Sequence, residues 1–165
     1  MRSLAASLLA FTMALILLFI YSAFDIRDRR IPNRVMLVGG VIGSAVTIIS
    51  GHFYENLLLH LFSLLFSIVL SYILFRLGAF GGADAKALIT VAIISPGFEF
   101  IIWINPIVEA IIATGIEASI MLSFGSVWWY QNKKNDKETQ PPPLIPLLLL
   151  GYIIITSFAT VAIMF

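Results

Sequence analysis

Residues 4–24 read LAASLLAFTMALILLFIYSAF, and residues 25–34 follow at once as DIRDRRIPNR. The first stretch holds 21 residues without a charge, which as a helix is about 30 Å long, the thickness of a bilayer's hydrocarbon core. The second places six ionisable side chains and a proline in ten positions. A membrane-crossing helix that stops at a charged boundary has this form. Its apolar length exceeds the roughly 7–15-residue core of a cleavable signal, and Phe24-Asp25 offers no small-x-small cleavage site, so the segment is read as a retained helix.

The same alternation runs through the whole chain. Its 165 residues are 60% hydrophobic and only 12% charged, too little polar surface to cover a water-facing globule. A net charge of +1 without a basic, aromatic-interleaved face argues against a nucleic-acid partner. The lack of cysteine excludes disulfides, a thiolate nucleophile and a Cys-type zinc site. Divided at its polar clusters, the chain is predicted to be an all-α polytopic protein, a single membrane domain with six transmembrane helices and no soluble domain. The expected helices cover about 4–24, 35–50, 57–77, 84–95, 106–130 and 144–165. The last begins after Pro141, Pro142 and Pro143, which cannot continue a helix.

Nine of the ten lysines and arginines fall in or beside the connections after the first, third and fifth helices, and only Arg2 lies on the other side. The positive-inside rule therefore predicts cytoplasmic odd-numbered loops and both termini outside. That orientation puts Asp25 and Asp84 on the same side of the membrane, although 59 positions separate them.

An ionisable group at the membrane boundary costs roughly 2.5–3.5 kcal/mol, so it needs a partner, a water cavity or a function. Asp25 closes one apolar run, and Asp84 opens another that is too short to span the core unless its start lies below the surface. Gly81 and Gly82, just before Asp84, suit an irregular entry with close backbone approach. Two carboxylates in a low-dielectric site cannot both ionise cheaply. One keeps its proton and polarises a carbonyl while the other activates water, an aspartic-protease arrangement that needs no metal or cofactor. Each aspartate also has a structural reading, Asp84 as a helix N-cap and Asp25 as a boundary residue paired with neighbouring arginines.

Two short motifs carry a resemblance. Asp25-Ile26-Arg27-Asp28-Arg29-Arg30-Ile31-Pro32-Asn33 is similar to an Asp followed six residues later by a hydrophobic-Pro-Asn/Asp triplet, and Gly81-Gly82-Ala83-Asp84-Ala85-Lys86 is similar to Gly-x-Gly-Asp-x-Lys. Together they resemble the type IV prepilin and preflagellin peptidases, the GxGD-type membrane aspartic proteases. Ala83 stands where the family has glycine, as in archaeal-type members, and the cysteine-bearing cytoplasmic domain of the large bacterial enzymes is absent. The resemblance implies catalysis by Asp25 and Asp84, support from Gly81, Gly82 and Lys86, and no methyl transfer. It implies pilin-like or archaellin precursors as partners, each with a basic leader before a hydrophobic helix, cleaved at the cytoplasmic boundary of the plasma membrane.

Other residues compete for roles. Asp28 rivals Asp25, though its spacing to Pro32 is wrong for the motif. Lys86 either holds the aspartate pair or snorkels to the interface. Glu109 and Glu117 should face the bundle or water and have no assigned chemistry. His52 and His60 make a poor metal site as a pair, and Trp128, Trp129 and Tyr130 read as an interfacial anchor. The leading alternative function is a small proton- or cation-coupled transporter using the same acids with Glu117. Further rivals are a presenilin-like intramembrane protease and a non-enzymatic scaffold.

Overall fold

The computed structural model describes residues 4–98, 105–134 and 142–164, with side chains left out at 132–134 and 158–164. Arg2, Lys137 and Pro141, used in the sequence reading, lie outside the described residues. Among the described residues seven helices follow in order: α1 (Leu4–Asp28), α2 (Asn33–Ile49), α3 (His52–Glu55), α4 (Leu57–Arg76), α5 (Gly82–Ile94), α6 (Pro106–Lys134) and α7 (Ile145–Met164). No strand occurs among the described residues.

Helix ends follow backbone chemistry more closely than polarity. The first helix runs on to Asp28, past the Phe24 boundary of the apolar stretch, because charged side chains leave the backbone hydrogen bonds intact. Arg29 ends it in the left-handed region at φ 52°. Pro32 then stands before α2 in an extended conformation, and its carbonyl accepts the N–H groups of Val35 and Met36. At the end of α4, Gly78 takes φ 74°. Its N–H reaches the Phe75 carbonyl and that of Ala79 reaches Leu74, the pair of bonds that define a Schellman stop. The sixth helix likewise continues to Lys134, beyond the expected end near 130.

Three helices, α1, α4 and α6, are long and apolar enough to cross a membrane, whereas α2 and the described part of α7 are apolar but shorter. Among the described residues, three of the six expected crossings thus have the length and composition of a span. Helix α5 has 13 residues, about 20 Å. Its shortness is tolerated because it is enclosed by protein, packing against α1, α2, α4, α6 and α7, with Ala87 and Leu88 fully buried. Protein around a short helix takes the place of the missing spanning length.

An apolar core runs through the bundle, and small polar residues are buried beside it between helices. On α4, Ser63, Ser67 and Ser71 recur every fourth residue and are all buried, while Leu61, Leu65 and Ile68 are exposed. Ser67 Oγ lies 3.5 Å from Thr114 Oγ1 of α6, and Ser71 Oγ donates to the Ala85 carbonyl of α5 at 3.4 Å. Small hydroxyl residues between helices and large apolar ones facing outward are the arrangement of helices packed in lipid. On α2, Gly39 and Gly43 allow close approach, since a Cβ at the first would strike the Tyr21 hydroxyl and at the second the Ile94 side chain.

Candidate active site

Asp25 and Asp84 arrive at one end of the bundle from opposite ends of their own helices. The buried face of α1 runs Ala14, Leu18, Tyr21, Ser22 and Asp25, a helical period that turns the carboxylate inward in the last turn. One turn earlier, the buried Tyr21 hydroxyl donates to the Met36 carbonyl at 3.1 Å, tying α1 to α2. Asp84 stands in the first turn of α5, two residues inside its start at Gly82, so it does not itself open the helix. Its Oδ2 accepts the Gly81 N–H at 2.8 Å, half of a capping box.

Both aspartates line one cavity of about 570 Å³, walled by the α1–α2 connection, the turn from Gly78 to Ala83 and the approach to α7. Both are nearly buried, at 8% and 9% exposure, and they occupy the same end of the bundle.

Asp25 is held from an unexpected direction. Its Oδ2 accepts the backbone N–H of Ile145, the first residue of α7, at 3.2 Å. Pro146 has no N–H, and the N–H groups of Leu147 and Leu148 both bond to the Leu144 carbonyl. The Ile145 N–H is therefore the spare donor of that first turn, aligned with the positive end of the helix dipole.

The supporting residues divide. A Cβ at Gly81 would lie 3.0 Å from Asp84 Oδ2, so the absence of a side chain lets the carboxylate close on the backbone there. At Gly82 a Cβ would meet open space, which leaves backbone bare beside the cavity. Lys86 Nζ donates to Asn33 Oδ1 at 2.7 Å, joining the start of α5 to the start of α2. The two motifs thus touch directly, a contact that sequence reasoning missed although both residues stand within them. Arg29 and Arg30 also line the cavity, and the Arg29 guanidinium sits 5.8 Å from the centroid of the Trp128 ring. Pro142, Leu144 and the Ile145 N–H were not anticipated either, because a backbone donor leaves no signature in side-chain patterns.

Asp28 stands apart. It is exposed, 3.7 Å from Arg27 Nε, and absent from the cavity wall. Glu109 lies near the opposite end, fully buried, where its Oε1 accepts the Phe98 N–H at 2.9 Å, a structural use the sequence had not suggested. Glu117 is buried in the middle of α6 against α7 at Gly151. His52 Nδ1 and His60 Nε2 are 3.1 Å apart at the end away from the aspartates. Among the described residues no cluster of three or more His, Cys, Asp or Glu could hold a metal ion.

Chemically, two neighbouring carboxylates in a half-enclosed cavity can share one proton and hold a water between them as a nucleophile. A model of the type IV leader peptidase family matches residues 12–131, a span that takes in both aspartates and ends before α7. No curated protein and no solved structure matches the chain.

Proposed function

The chain belongs to the type IV leader peptidase family, and from that premise we propose that it is an aspartic endopeptidase in which Asp25 and Asp84 cleave the leader of pilin-like or archaellin precursors. The observation that carries this reading is the shared cavity at one end of the bundle, with both carboxylates in its wall. One aspartate, ionised, takes a proton from water as it attacks the peptide carbonyl. The other, protonated, gives its proton to the carbonyl oxygen; the first then hands the proton it took from water to the leaving amine, and as the C–N bond breaks and the carbonyl re-forms, the second recovers its proton from the diol hydroxyl.

In the proposed topology six helical segments are membrane-embedded, α5 is sheltered by the rest, and the aspartate end faces the cytoplasm. Support comes from the arginines and lysines gathered there, including Arg27, Arg29, Arg30, Arg34, Arg76 and Lys86. A precursor with a basic leader ahead of a hydrophobic helix would present its junction at this boundary. The bare backbone at Gly82 gives an unwound substrate strand a surface to lie on. Gly81 and Lys86 act through position: the first admits the Asp84 cap, the second braces α5 against Asn33. The transporter alternative would need a relay reaching Glu117, which does not line the aspartate cavity.

The test is co-expression with pilin-type precursors, following the leader by its mobility shift. Wild type should remove it, and Asp25→Asn and Asp84→Asn should leave the precursor intact. Cleavage by both Asn variants at the wild-type rate would refute the reading, and ion-driven uptake without proteolysis would favour the transporter.

A further inference from the structure

The wall of the aspartate cavity is rich in positive charge: Arg29, Arg30 and Lys86 stand in it beside Asp25 and Asp84. Membrane orientation does not account for that placement, because a basic residue sets topology from anywhere in the right loop. Arg27, Arg34 and Arg76 belong to the same end of the bundle and are absent from the cavity wall.

Arg29 is the most constrained of the three. Among the described residues it is the one non-glycine with a positive φ, 52°. Just beyond a helix end, glycine or asparagine takes this conformation at least cost, and a strained residue in a cavity wall points to a use for its side chain. Its guanidinium lies 5.8 Å from the centroid of the Trp128 ring, an attraction that holds a long side chain in place. Lys86 Nζ, by contrast, is taken up by Asn33 Oδ1 at 2.7 Å.

The peptide bond that enters the cavity is neutral, and a basic leader gains nothing from a wall of like charge. Hydrolysis changes the charge. The oxygen of water ends on the former carbonyl carbon, the C–N bond breaks, and the acid left on the leader ionises as the amine of the cut helix takes up a proton. The new carboxylate forms beside an aspartate pair that already carries a negative charge, and in a half-enclosed site that repulsion is poorly screened. A guanidinium offsets it, because its planar fork matches both oxygens of a carboxylate.

Resting on the peptidase reading above, we propose that Arg29, with Arg30 beside it, forms a carboxylate site that receives the new C-terminus of the released leader. The arginines then act on the product side of the reaction, and the free leader is an inhibitor.

The experiment uses the full chain in lipid nanodiscs, cleaving a pilin-type precursor in the presence of its own synthetic leader, made with a free C-terminal carboxylate or with a carboxamide. The quantity read at neutral pH is the ratio of the two inhibition constants. Wild type should bind the carboxylate form roughly tenfold or more tightly, the effect of one charge-assisted hydrogen-bonded pair. Arg29→Gln should bring the ratio close to one, and Arg29→Lys, which keeps the charge and loses the fork, should retain part of it. Arg34→Gln removes a charge at the same end outside the cavity and should keep the wild-type ratio. The proposal falls if wild type binds both peptides alike, if Arg29→Gln keeps the wild-type ratio, or if Arg34→Gln lowers it as much as Arg29→Gln does; in each case cleavage continues and the peptidase reading stands. Were Arg29→Gln not to fold, a reduced or unchanged ratio in Arg29→Lys would decide for or against the site. Failure of wild type to cleave any pilin-type precursor would overturn the peptidase reading together with the site.

Discussion

The carboxylate of Asp25 accepts a hydrogen bond from the backbone N–H of Ile145 at 3.2 Å, across 120 residues of sequence. Helix α7, which lies beyond the span matched by the family model, thereby holds a residue of the aspartate cavity's wall. A backbone donor at a helix start is a rigid one, because moving it means moving the helix. The orientation of Asp25 is thus coupled to the docking of α7 on α1.

Removing that donor should cost activity without unfolding the protein. Proline is tolerated at the first position of a helix, so Ile145→Pro deletes the N–H while α7 keeps its start. A hydrogen bond to a charged group contributes about 1.5–3 kcal/mol, which predicts a fall in kcat of roughly 10- to 100-fold. Ile145→Val keeps the N–H, loses one methylene from a buried side chain and should cleave within a few-fold of wild type. Leader-cleavage kinetics on both variants check this, and equal rates would detach the bond from function.

The two structural readings of the aspartates can be separated from the chemical one. An asparagine side-chain oxygen can still accept the Gly81 N–H from this position, so Asp84→Asn should melt within a few degrees of wild type while cleavage drops by at least roughly 100-fold. Asp25→Asn should do the same. Asp28→Asn, altering an exposed side chain outside the cavity, should cleave normally. Paired melting and cleavage assays in one detergent decide the matter.

The Lys86–Asn33 bond predicts a coupling between the two motifs. Both residues are exposed at the cavity mouth, so solvent weakens the pair, and a coupling of about 0.5–1 kcal/mol is expected. Lys86→Met and Asn33→Ala, measured singly and together by thermal unfolding, should be less than additive. Strict additivity would mean that the contact contributes nothing.

Adjacent glycines on α2 should behave oppositely. Gly39→Ala forces a methyl against the Tyr21 hydroxyl and the Leu17 side chain, one turn from Asp25, and overpacking of this kind costs about 1–3 kcal/mol. It should lower both the melting temperature and the cleavage rate. Gly40→Ala meets nothing within 4 Å and should be neutral or slightly stabilising, by up to about 1 kcal/mol. If Gly39→Ala proves as harmless as Gly40→Ala, the close approach of α1 and α2 is wrong.

Much of this architecture is legible along the chain because lipid imposes a local rule. Runs such as 57–77 must be apolar to lie in hydrocarbon, and charged clusters such as 25–34 mark where it ends. Such marks locate a helix but do not measure it. Polarity at Asp25 showed where the apolar stretch stopped, while the helix went on until Arg29 turned left-handed. The 13 residues of α5 read as one more crossing because its enclosure by five other helices leaves no trace in its own sequence.

Sequence by itself determined that the chain is helical, apolar and equipped with two aspartates in motifs resembling those of the leader peptidases, because these are properties of segments solvated one at a time. Only the tertiary structure decided that Ile145 holds Asp25, that Lys86 meets Asn33, and that both aspartates line one cavity. Those relationships join residues far apart in the chain, and a backbone N–H or an empty volume exists as a partner only after packing has brought its surroundings together.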